Sequence, residues 1–251
     1  MDEQRQLILD QFTRQAIPFT ELHARDDAQI HRLLIETAGI GPGDTVLDVA
    51  CGPGLVACEL ANVAQHVTGI DLTPAMIAQA RERQKSLGLA NLTFVQGDAQ
   101  PLPFEDGTFS RVVTRYAFHH LTDPQGVFAE MVRVCSPGGR VTVCDVYAGT
   151  PEQGELYDSL EKQRDPSHTR ALPLFEFNAL FDSLQEVRRV FYRYPVNVDV
   201  LLSRSFPDSG GAEEFRRRVD ADVGIDRLGI EATREGGLGF SFPVAIFSGQ
   251  V

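Results

Sequence analysis

Residues 45–54, TVLDVACGPG, combine a carboxylate and two glycines at a spacing that suits ligand chemistry. Asp48 lies near the end of a short apolar run, and Gly52 and Gly54 bracket a proline just beyond it. Glycine has no Cβ, so a loop that contains two of them lets the backbone approach a ligand closely. The loop also fits G-x-G-x-x-[GA], with Asp71 near the offset of a ribose-binding acid in a dinucleotide fold. The pattern predicts a nucleotide-like ligand.

The charge of Asp48 distinguishes between the ligands that such loops bind. A pyrophosphate is an anion, and a carboxylate at the strand end that faces it would repel it. S-adenosyl-L-methionine (SAM) instead presents an α-ammonium group in that region, which a carboxylate binds directly or through water. The sequence therefore favours SAM as the cofactor, with S-adenosyl-L-homocysteine (SAH) as the product, over NAD.

Successive predicted strands end on groups that suit this cofactor. Ligands of an open parallel sheet bind outside the carboxyl ends of its strands. Asp71, at the end of the second strand, can accept hydrogen bonds from both ribose hydroxyls, whereas Asp98 and Ala99 follow the third and suit an adenine amino group. Arg115 ends the fourth strand. One such aspartate is often only a turn or cap residue, but their succession favours a cofactor site.

Short apolar runs alternate with helix-like segments between residues 41 and 146. The predicted strands are Thr45–Val49, His66–Asp71, Leu92–Gln96, Arg111–Arg115 and Arg140–Val146, and the predicted helices are Leu55–Gln65, Pro74–Leu87 and Pro124–Cys135. This alternation predicts parallel strands with right-handed crossovers and helices on both faces. The pair Gly138-Gly139 is expected to follow the end of a helix.

The rest of the chain predicts a cap and two further strands. Residues 1–40 predict one or two helices. Later helices are expected at Glu152–Arg164, Leu174–Leu184, Asn197–Arg204 and Ala212–Asp222, and later strands at Val187–Tyr194 and Phe240–Phe247. Because no long linker divides the chain, the sequence predicts one domain over 1–251. Its parts are cap helices at 1–40, a SAM-binding half at 41–150 and an acceptor-side half at 151–251, with a cap insertion at about 195–239.

Composition limits the partners. The formal net charge of −12 argues against a nucleic acid or an anionic membrane, because no electrostatic attraction is available. The four cysteines form no CxxC pair and no zinc-spaced cluster, so no metal is expected. No apolar run reaches the length of a membrane span and no signal peptide begins the chain. The expectation is a reduced, cytoplasmic protein without membrane insertion.

Together these segments resemble the class I SAM-dependent methyltransferases. VLDVACGPG (46–54) resembles the family's first motif, [DE]-x-G-x-G-x-G, with Ala50 in place of the first glycine, a change that a negative φ would tolerate. VTGIDLTPAMI (67–77) resembles the segment with the ribose-binding acid, and GDAQPLPFEDGTFS (97–110) resembles the third motif. RVVTRYAFHHL (111–121) and SPGGRVTV (136–143) complete the set.

The resemblance, strongest over residues 41–146, implies an α/β fold with a Rossmann-like, seven-stranded, mostly parallel sheet whose last strand runs antiparallel. It implies cofactor contacts from Asp48, Ala50, Cys51, Gly52, Gly54, Asp71, Leu72, Met76, Gly97, Asp98, Ala99 and Arg115. Within the class, the chain is most similar to the ubiquinone/menaquinone-biosynthesis C-methyltransferase type. In that type, helices at the N terminus and between the last strands cap the acceptor pocket.

Methyl transfer from a sulfonium needs alignment and sometimes a base. Tyr116, His119 and His120 follow the fourth strand, where the activated methyl group is expected. A histidine can deprotonate a phenol, enol or amine near neutral pH, and His120 is the first candidate for this role. Alternatively, one histidine of the pair caps a turn and the other packs against the sheet.

The acceptor is expected to be a small organic molecule. No [DN]-P-P-[YFW] and no Pro-Cys pair follows the fourth strand, as nucleic-acid amino or cytosine methylation would require. His168 and Arg170, in RDPSHTR (164–170), could bind an acidic or carbonyl-bearing acceptor unless this loop is simply solvated. Tyr147 is a lesser candidate for the same pocket.

The sequence thus predicts a bacterial, biosynthetic SAM-dependent methyltransferase, monomeric or homodimeric. Methylation of an enol or phenol-like carbon is the first expectation, and O- or N-methylation is the second. Two alternatives remain. One is a SAM-binding protein that has lost methyl transfer and catalyses another reaction, such as a cyclisation, or only binds. The other is an NAD-dependent oxidoreductase.

Overall fold

An open, mostly parallel sheet with helices on both faces forms the centre of the computed structural model, which describes residues 3–22 and 28–251. The helices are α1 Glu3–Leu22, α2 Ala28–Ala38, α3 Leu55–Ala61, α4 Pro74–Leu87, α5 Pro124–Val134, α6 Pro151–Arg164, α7 Leu174–Phe181, α8 Val198–Ser203 and α9 Gly211–Asp222. The strands are β1 Thr45–Val49, β2 His66–Asp71, β3 Leu92–Gln96, β4 Phe109–Arg115, β5 Cys135–Ala148, β6 Leu172–Pro173, β7 Gln185–Asn197 and β8 Gly239–Gln250.

The strand order is β3-β2-β1-β4-β5-β8-β7, with the two-residue β6 paired to β5 beside this path. Strands β1 to β5 pair in parallel, whereas β8 runs antiparallel to both β5 and β7. The predicted mostly parallel sheet with an antiparallel last strand is therefore confirmed. Strand β6 adds an eighth that the sequence did not predict, because two residues are too few for an alternating pattern.

Strand β1 is buried on both faces, which explains why its apolar residues run almost without interruption. Val46 packs with Leu34 of α2 and Leu60 of α3 on one face. Leu47 and Val49, whose side chains point the other way, pack with the cluster that contains α5 and α7. The two faces of the sheet therefore carry two separate hydrophobic clusters.

Local signals set several boundaries where the sequence placed them. The Asp123 side chain accepts a hydrogen bond from the Gly126 amide and caps α5, and Gly88 ends α4 with a φ of 66°. The pair Gly138-Gly139 does not follow a helix end, however. It lies inside the first part of β5, where a Cβ on Gly139 would approach the Ser110 carbonyl oxygen to 2.7 Å.

The order of the strands places a ligand site between β1 and β4. From β1 the chain builds the sheet towards β3 on one side and, starting at β4, towards β5 on the other. Such a reversal opens a crevice at the carboxyl ends of the two central strands. Helix α1 packs against α4 beside this crevice, and α6 packs against α9 at its other side. Among the described residues, no helix is both long and apolar enough to cross a membrane.

Candidate active site

A cavity of about 460 Å³ lies at the carboxyl ends of the central strands. One half is lined by the loop after β1, the ends of β2 and β3 and the residues that follow them: Ala50–Pro53, Leu55, Val56, Ile70–Thr73, Met76 and Gly97–Gln100. The other half is lined by residues after β4 and by the cap: Tyr116, His119, His120, Tyr157, Glu161, Arg164, Asp165, Tyr194, Leu201, Arg204, Ser205 and Phe242. Helix α1 contributes Gln4, Arg5, Ile8, Phe12 and Gln15 along the cavity.

The loop after β1 contains three left-handed residues in five positions. Ala50, Gly52 and Gly54 have φ angles of 55°, 53° and 77°. The negative φ that would make Ala50 tolerable without strain is therefore not present, and this alanine holds the strained conformation that a glycine would adopt without cost. Its retention at the cavity wall stores local strain at the candidate site.

The two glycines of this loop serve different purposes. A Cβ on Gly52 would have no heavy atom within 4 Å, whereas one on Gly54 would approach Phe94 Cζ to 2.8 Å and Ala80 Cβ to 3.1 Å. Gly52 lines the cavity and Gly54 does not. Gly54 thus allows α3 to pack closely against its neighbours, and only Gly52 leaves room for a ligand.

We expect replacement of Ala50 by glycine to raise the free energy of unfolding of the unliganded protein by up to about 1 kcal/mol. Glycine relieves the left-handed strain, although its freedom in the unfolded chain offsets part of the gain. Urea denaturation measures the change. Ala78→Gly, on the exposed face of α4, is the matched control and should cost about 1 kcal/mol. A loss of stability in Ala50→Gly would show that the alanine is not strained.

Asp71 is held at the edge of the loop by two backbone amides. Its Oδ2 accepts a hydrogen bond from Gly52 N at 2.9 Å, and its Oδ1 accepts one from Thr73 N at 2.8 Å. Burial raises the pKa of this carboxyl, although both amide hydrogen bonds oppose the shift. Each oxygen keeps a second lone pair, so the side chain can still accept from a vicinal diol in the cavity.

Asp48 lies beneath the loop rather than in the cavity wall. It is 1% exposed, and its Oδ2 has no hydrogen-bond partner among the described residues. Burial raises its pKa to about 8, and repulsion from Asp71 adds to the shift, which Arg115 and the Ala57 amide only reduce. Direct contact with a ligand's ammonium group, one of the two expected routes, is therefore absent from this conformation. An effect of its charge through the loop requires the ionised form, which the raised pKa confines to about pH 8 and above.

The opposite end of this half carries the acid expected near an adenine. Asp98 and Ala99 line the cavity together with Leu72 and Met76. Asp98 Oδ1 accepts from the Gln100 amide at 3.1 Å, and its Oδ2 pairs with Arg5 Nη2 of α1 at 2.8 Å. Helix α1 is thereby tied across this end of the cavity by a partly exposed ion pair.

Comparison with known proteins identifies the fold and the chemistry of this site. A methyltransferase domain model matches residues 47–143. The uncharacterized methyltransferase YcgJ of Bacillus subtilis is 33% identical over 175 residues, which cover 68% of this chain and 69% of that protein. The chain is a class I SAM-dependent methyltransferase. Its cofactor is SAM, and the NAD-dependent alternative finds no support among these relatives.

The crystal structure of YcgJ and one further relative agree with that assignment. The crystal structure of YcgJ superposes with a TM-score of 0.81 at 27% identity, over 88% of this chain and 97% of that one. The ubiquinone/menaquinone biosynthesis C-methyltransferase UbiE of Ectopseudomonas mendocina is 34% identical over 133 residues, 51% of this chain and 52% of that protein. The chain thus matches only about half the length of the UbiE-type relative.

The two adjacent histidines of the methyltransferase have opposite surroundings. His119 Nδ1 lies 2.6 Å from Oδ1 of Asp145, a fully buried carboxylate at the end of β5. Burial alone would lower the pKa of His119, but Asp145, with help from Glu161 and Asp165, outweighs it and raises that pKa. A carboxylate only accepts hydrogen bonds, so Nδ1 carries the proton and Nε2 is the basic atom of the neutral ring.

His120 is neutral and tied to the backbone. Its Nδ1 donates to the Ser167 carbonyl at 3.0 Å, and its ring meets Phe12 of α1 edge-on at 5.0 Å. Burial lowers the pKa of His120 well below its usual value, and the neighbouring His119 lowers it further. His120 lines the cavity, but a ring with so low a pKa is a weak base.

The structure brings most of the predicted site residues to the methyltransferase cavity. Of the twelve residues expected at the cofactor, all except Asp48 and Gly54 line it, as do Tyr116, His119 and His120. Three acceptor candidates are absent from the described lining. His168 is buried with its Nε2 at 2.8 Å from Asp158, Arg170 pairs with Glu176 at the surface, and Tyr147 packs on Phe191. Each of these side chains is engaged by a partner outside the cavity lining.

Helix α6 supplies the cavity residues that the sequence analysis missed. Tyr157, Glu161 and Arg164 recur at spacings of four and three, so they share the face that lines the cavity. Asp165 follows directly, and its Oδ1 accepts from the Ser167 hydroxyl at 2.6 Å. The spacing was visible in the sequence, but charged residues on a predicted helix are ordinarily read as a solvated face.

Proposed function

We propose that this methyltransferase transfers the methyl group of SAM to a small organic acceptor, with an enol or phenol-like carbon as the first choice of target and oxygen or nitrogen as the second. The observation that carries the proposal is the His119–Asp145 pair, 2.6 Å apart, at the cavity. A phenol or enol becomes nucleophilic when it loses its proton. The raised pKa of His119 makes its Nε2 a stronger base for that proton transfer.

The cofactor's parts are assigned by the side chains at successive strand ends. Asp71 accepts from the ribose hydroxyls, Asp98 and Ala99 meet the adenine, and the loop at Gly52 faces the methionine portion. Leu72 and Met76 pack on the adenine ring, and Arg115 lies at the end of β4 beside the loop. This orientation directs the sulfonium towards Tyr116 and His119, which line the cavity beyond β4.

His119 replaces His120 as the preferred base. In-line displacement at the methyl carbon requires mainly alignment, and the base need only remove the acceptor's proton as the carbon or oxygen attacks. His119 has its Nδ1 fixed by Asp145, so its Nε2 is the atom that takes this proton. His120 serves instead to hold the loop at Ser167 against the cavity, through the 3.0 Å hydrogen bond described above.

The walls of the acceptor half suit a ring. Tyr157, Tyr194 and Phe242 line it from three elements, and Phe12 of α1 lies on the cavity beside His120. Aromatic side chains form flat apolar walls that bind planar groups well. The UbiE-type relative is a C-methyltransferase of ubiquinone and menaquinone biosynthesis, which supports an electron-rich ring as the acceptor.

The test uses SAM that carries a labelled methyl group and a panel of phenols and enolisable ketones. Label is expected in a small-molecule product, and its NMR spectrum shows whether carbon, oxygen or nitrogen carries the methyl group. A protein that binds SAM but forms no SAH with any member would contradict the proposal. That result would favour a SAM-binding protein without methyl transfer.

The ribose assignment predicts that Asp71→Asn weakens SAM binding by about 2–4 kcal/mol, because two hydrogen bonds to an ionised acceptor become weaker or are lost. Asparagine keeps the size of the side chain, so the loop amides of Gly52 and Thr73 retain one acceptor between them. Calorimetric titration with SAM measures the change, and Asp106→Asn, an exposed carboxylate far from the cavity, is the control. Affinity within twofold of the wild type would show that Asp71 does not bind the ribose.

A further inference from the structure

Glu161 carries a buried carboxylate oxygen that nothing in the described protein satisfies. The residue is 1% exposed, lines the cavity, and lies on the same face of α6 as Tyr157. Its Oε2 pairs with Arg164 Nη2, whereas its Oε1 has no hydrogen-bond partner. A carboxylate oxygen withdrawn from water without a donor destabilises the folded protein.

The ion pair with Arg164 does not account for this arrangement. Arg164 is itself buried, with its guanidinium 5.9 Å from the centre of the Phe242 ring, and it engages only one of the two carboxylate oxygens. A purely structural pair would be expected to satisfy both oxygens. Asp165, the neighbouring acid, shows the contrast, because neither of its oxygens is both buried and without a partner, and the amide and hydroxyl of Ser167 donate to its Oδ1.

The position of Glu161 relates it to the candidate base. Its charge is one of the influences that raise the pKa of His119, after Asp145. Both side chains line the cavity, one from α6 and the other from the segment after β4. A rotation about the terminal torsion of Glu161, which is soft, is enough to turn Oε1 towards a bound molecule.

We propose that Glu161 is a specificity-determining residue that binds an O–H or N–H group of the acceptor other than the one His119 deprotonates. The acceptor class is then a ring with two donor groups, such as a dihydroxylated arene, rather than a simple phenol. The inference rests on the proposed function. The acceptor supplies the hydrogen-bond donor that Oε1 lacks. An analogue without this donor group leaves the carboxylate oxygen buried and unpaired. Enzymes discriminate most sharply against substrates that leave a buried polar group unpaired in this way.

The experiment compares three matched pairs of phenols: catechol with 2-methoxyphenol, resorcinol with 3-methoxyphenol, and hydroquinone with 4-methoxyphenol. In each pair one hydroxyl is replaced by an ether, which accepts but cannot donate. The ratio of kcat/KM within each pair is measured from SAH release, with the diol value halved for its two equivalent positions. Wild type, Glu161→Gln, Glu161→Asp and the control Glu155→Gln, exposed on the same helix, are compared.

In at least one pair, the wild type and Glu155→Gln are expected to prefer the diol by tenfold or more. Glu161→Gln should reduce this ratio below threefold, since the amide can present a donor where the carboxylate oxygen stood, and Glu161→Asp should give an intermediate ratio. SAM affinity by calorimetry should stay within twofold throughout, which shows that each variant is folded.

Two results would overturn the inference in different ways. If the wild type methylates these phenols with the same diol-to-ether ratio as Glu161→Gln, Glu161 does not select the donor, and the proposed function stands. If the wild type binds SAM but methylates none of the six phenols, the phenol-like acceptor is wrong and the role of Glu161 falls with it.

Discussion

Replacement of His119 by asparagine is expected to lower kcat by about 10²–10⁴-fold while SAM binding stays within a few fold, because removing a general base costs that much. Nε2 of His119 is the atom proposed to take the acceptor's proton. The ring is held at the cavity through the Asp145 carboxylate, which also accepts from the Phe118 amide at 2.6 Å. Rates are measured with any acceptor that the labelling experiment identifies.

The pH dependence separates a base from a merely structural residue. A base acts only when unprotonated, so the wild-type rate should fall as the pH drops through the raised pKa of His119. In Asp145→Asn the main influence that raises this pKa is gone and burial, which lowers it, remains. The acidic limb should therefore move to lower pH, together with a lower maximal rate because the tautomer is no longer fixed.

His66→Gln is the control for this prediction. His66 on β2 forms a hydrogen bond with Thr93 on β3, and neither residue lines the cavity. Its pH–rate profile should match that of the wild type. If Asp145→Asn slows the reaction without moving the acidic limb, Asp145 only supports the fold. If His119→Asn retains more than a third of the wild-type kcat, a group other than His119 takes the proton or the reaction needs no base.

Asp48→Asn is expected to stabilise the unliganded protein increasingly as the pH rises. The pKa of Asp48 is about 8 in the folded protein against an ordinary value of 3.8, and one pKa unit corresponds to about 1.4 kcal/mol. Below pH 3.8 the carboxyl is neutral in both states and costs nothing. Between these values the unfolded chain releases the proton and the folded protein retains it, so stability is lost as the pH rises.

The stability advantage of Asp48→Asn over the wild type should therefore grow by about 3–4 kcal/mol between pH 5 and pH 8. Urea denaturation at a series of pH values measures it. Asp208→Asn, at an exposed position, should show no such growth. A difference between the two proteins that is constant with pH would show that Asp48 is ionised in the folded state.

The pH-dependent instability expected from Asp48 has a structural cause. Asp48 is fully buried at the end of β1, with one oxygen unsatisfied and Asp71 as a neighbouring acid. Residues kept at a cost to stability are typical of functional sites. The left-handed φ of 55° at Ala50, two residues further along, is a second example in the same loop.

Much of the cofactor half was determined by the sequence alone. The strands Thr45–Val49, His66–Asp71 and Leu92–Gln96 begin and end at the predicted residues, because each is a short apolar run bounded by strong turn or cap signals. When strands run parallel, their carboxyl ends meet at one edge of the sheet. The side chains at these strand ends were therefore expected to lie close together, and Asp71 and Asp98 do line one cavity.

Only the tertiary structure decided how the catalytic half is arranged. His119 and His120 are adjacent in sequence and look alike, and their roles separate because Asp145 and Ser167 reach them from 26 and 47 residues away. The role of Glu161 likewise depends on tertiary structure. In the sequence it is one of several acids on a charged helix, and only the packing of α6 against the cavity distinguishes it from the others. His168, predicted at the acceptor, is not among the described lining residues, and its Nε2 instead pairs with Asp158.

The physical reason is the range of the interactions involved. Strand and helix formation depends on apolar periodicity and on caps within a few residues, and both can be read directly from the sequence. A pKa or an unsatisfied carboxylate depends on burial and on partners brought by other elements. The sequence therefore determined the sheet and the cofactor that it binds. The packing of β5, α6 and the segment after β4 decided which histidine can act as a base and which acid is left to meet the acceptor.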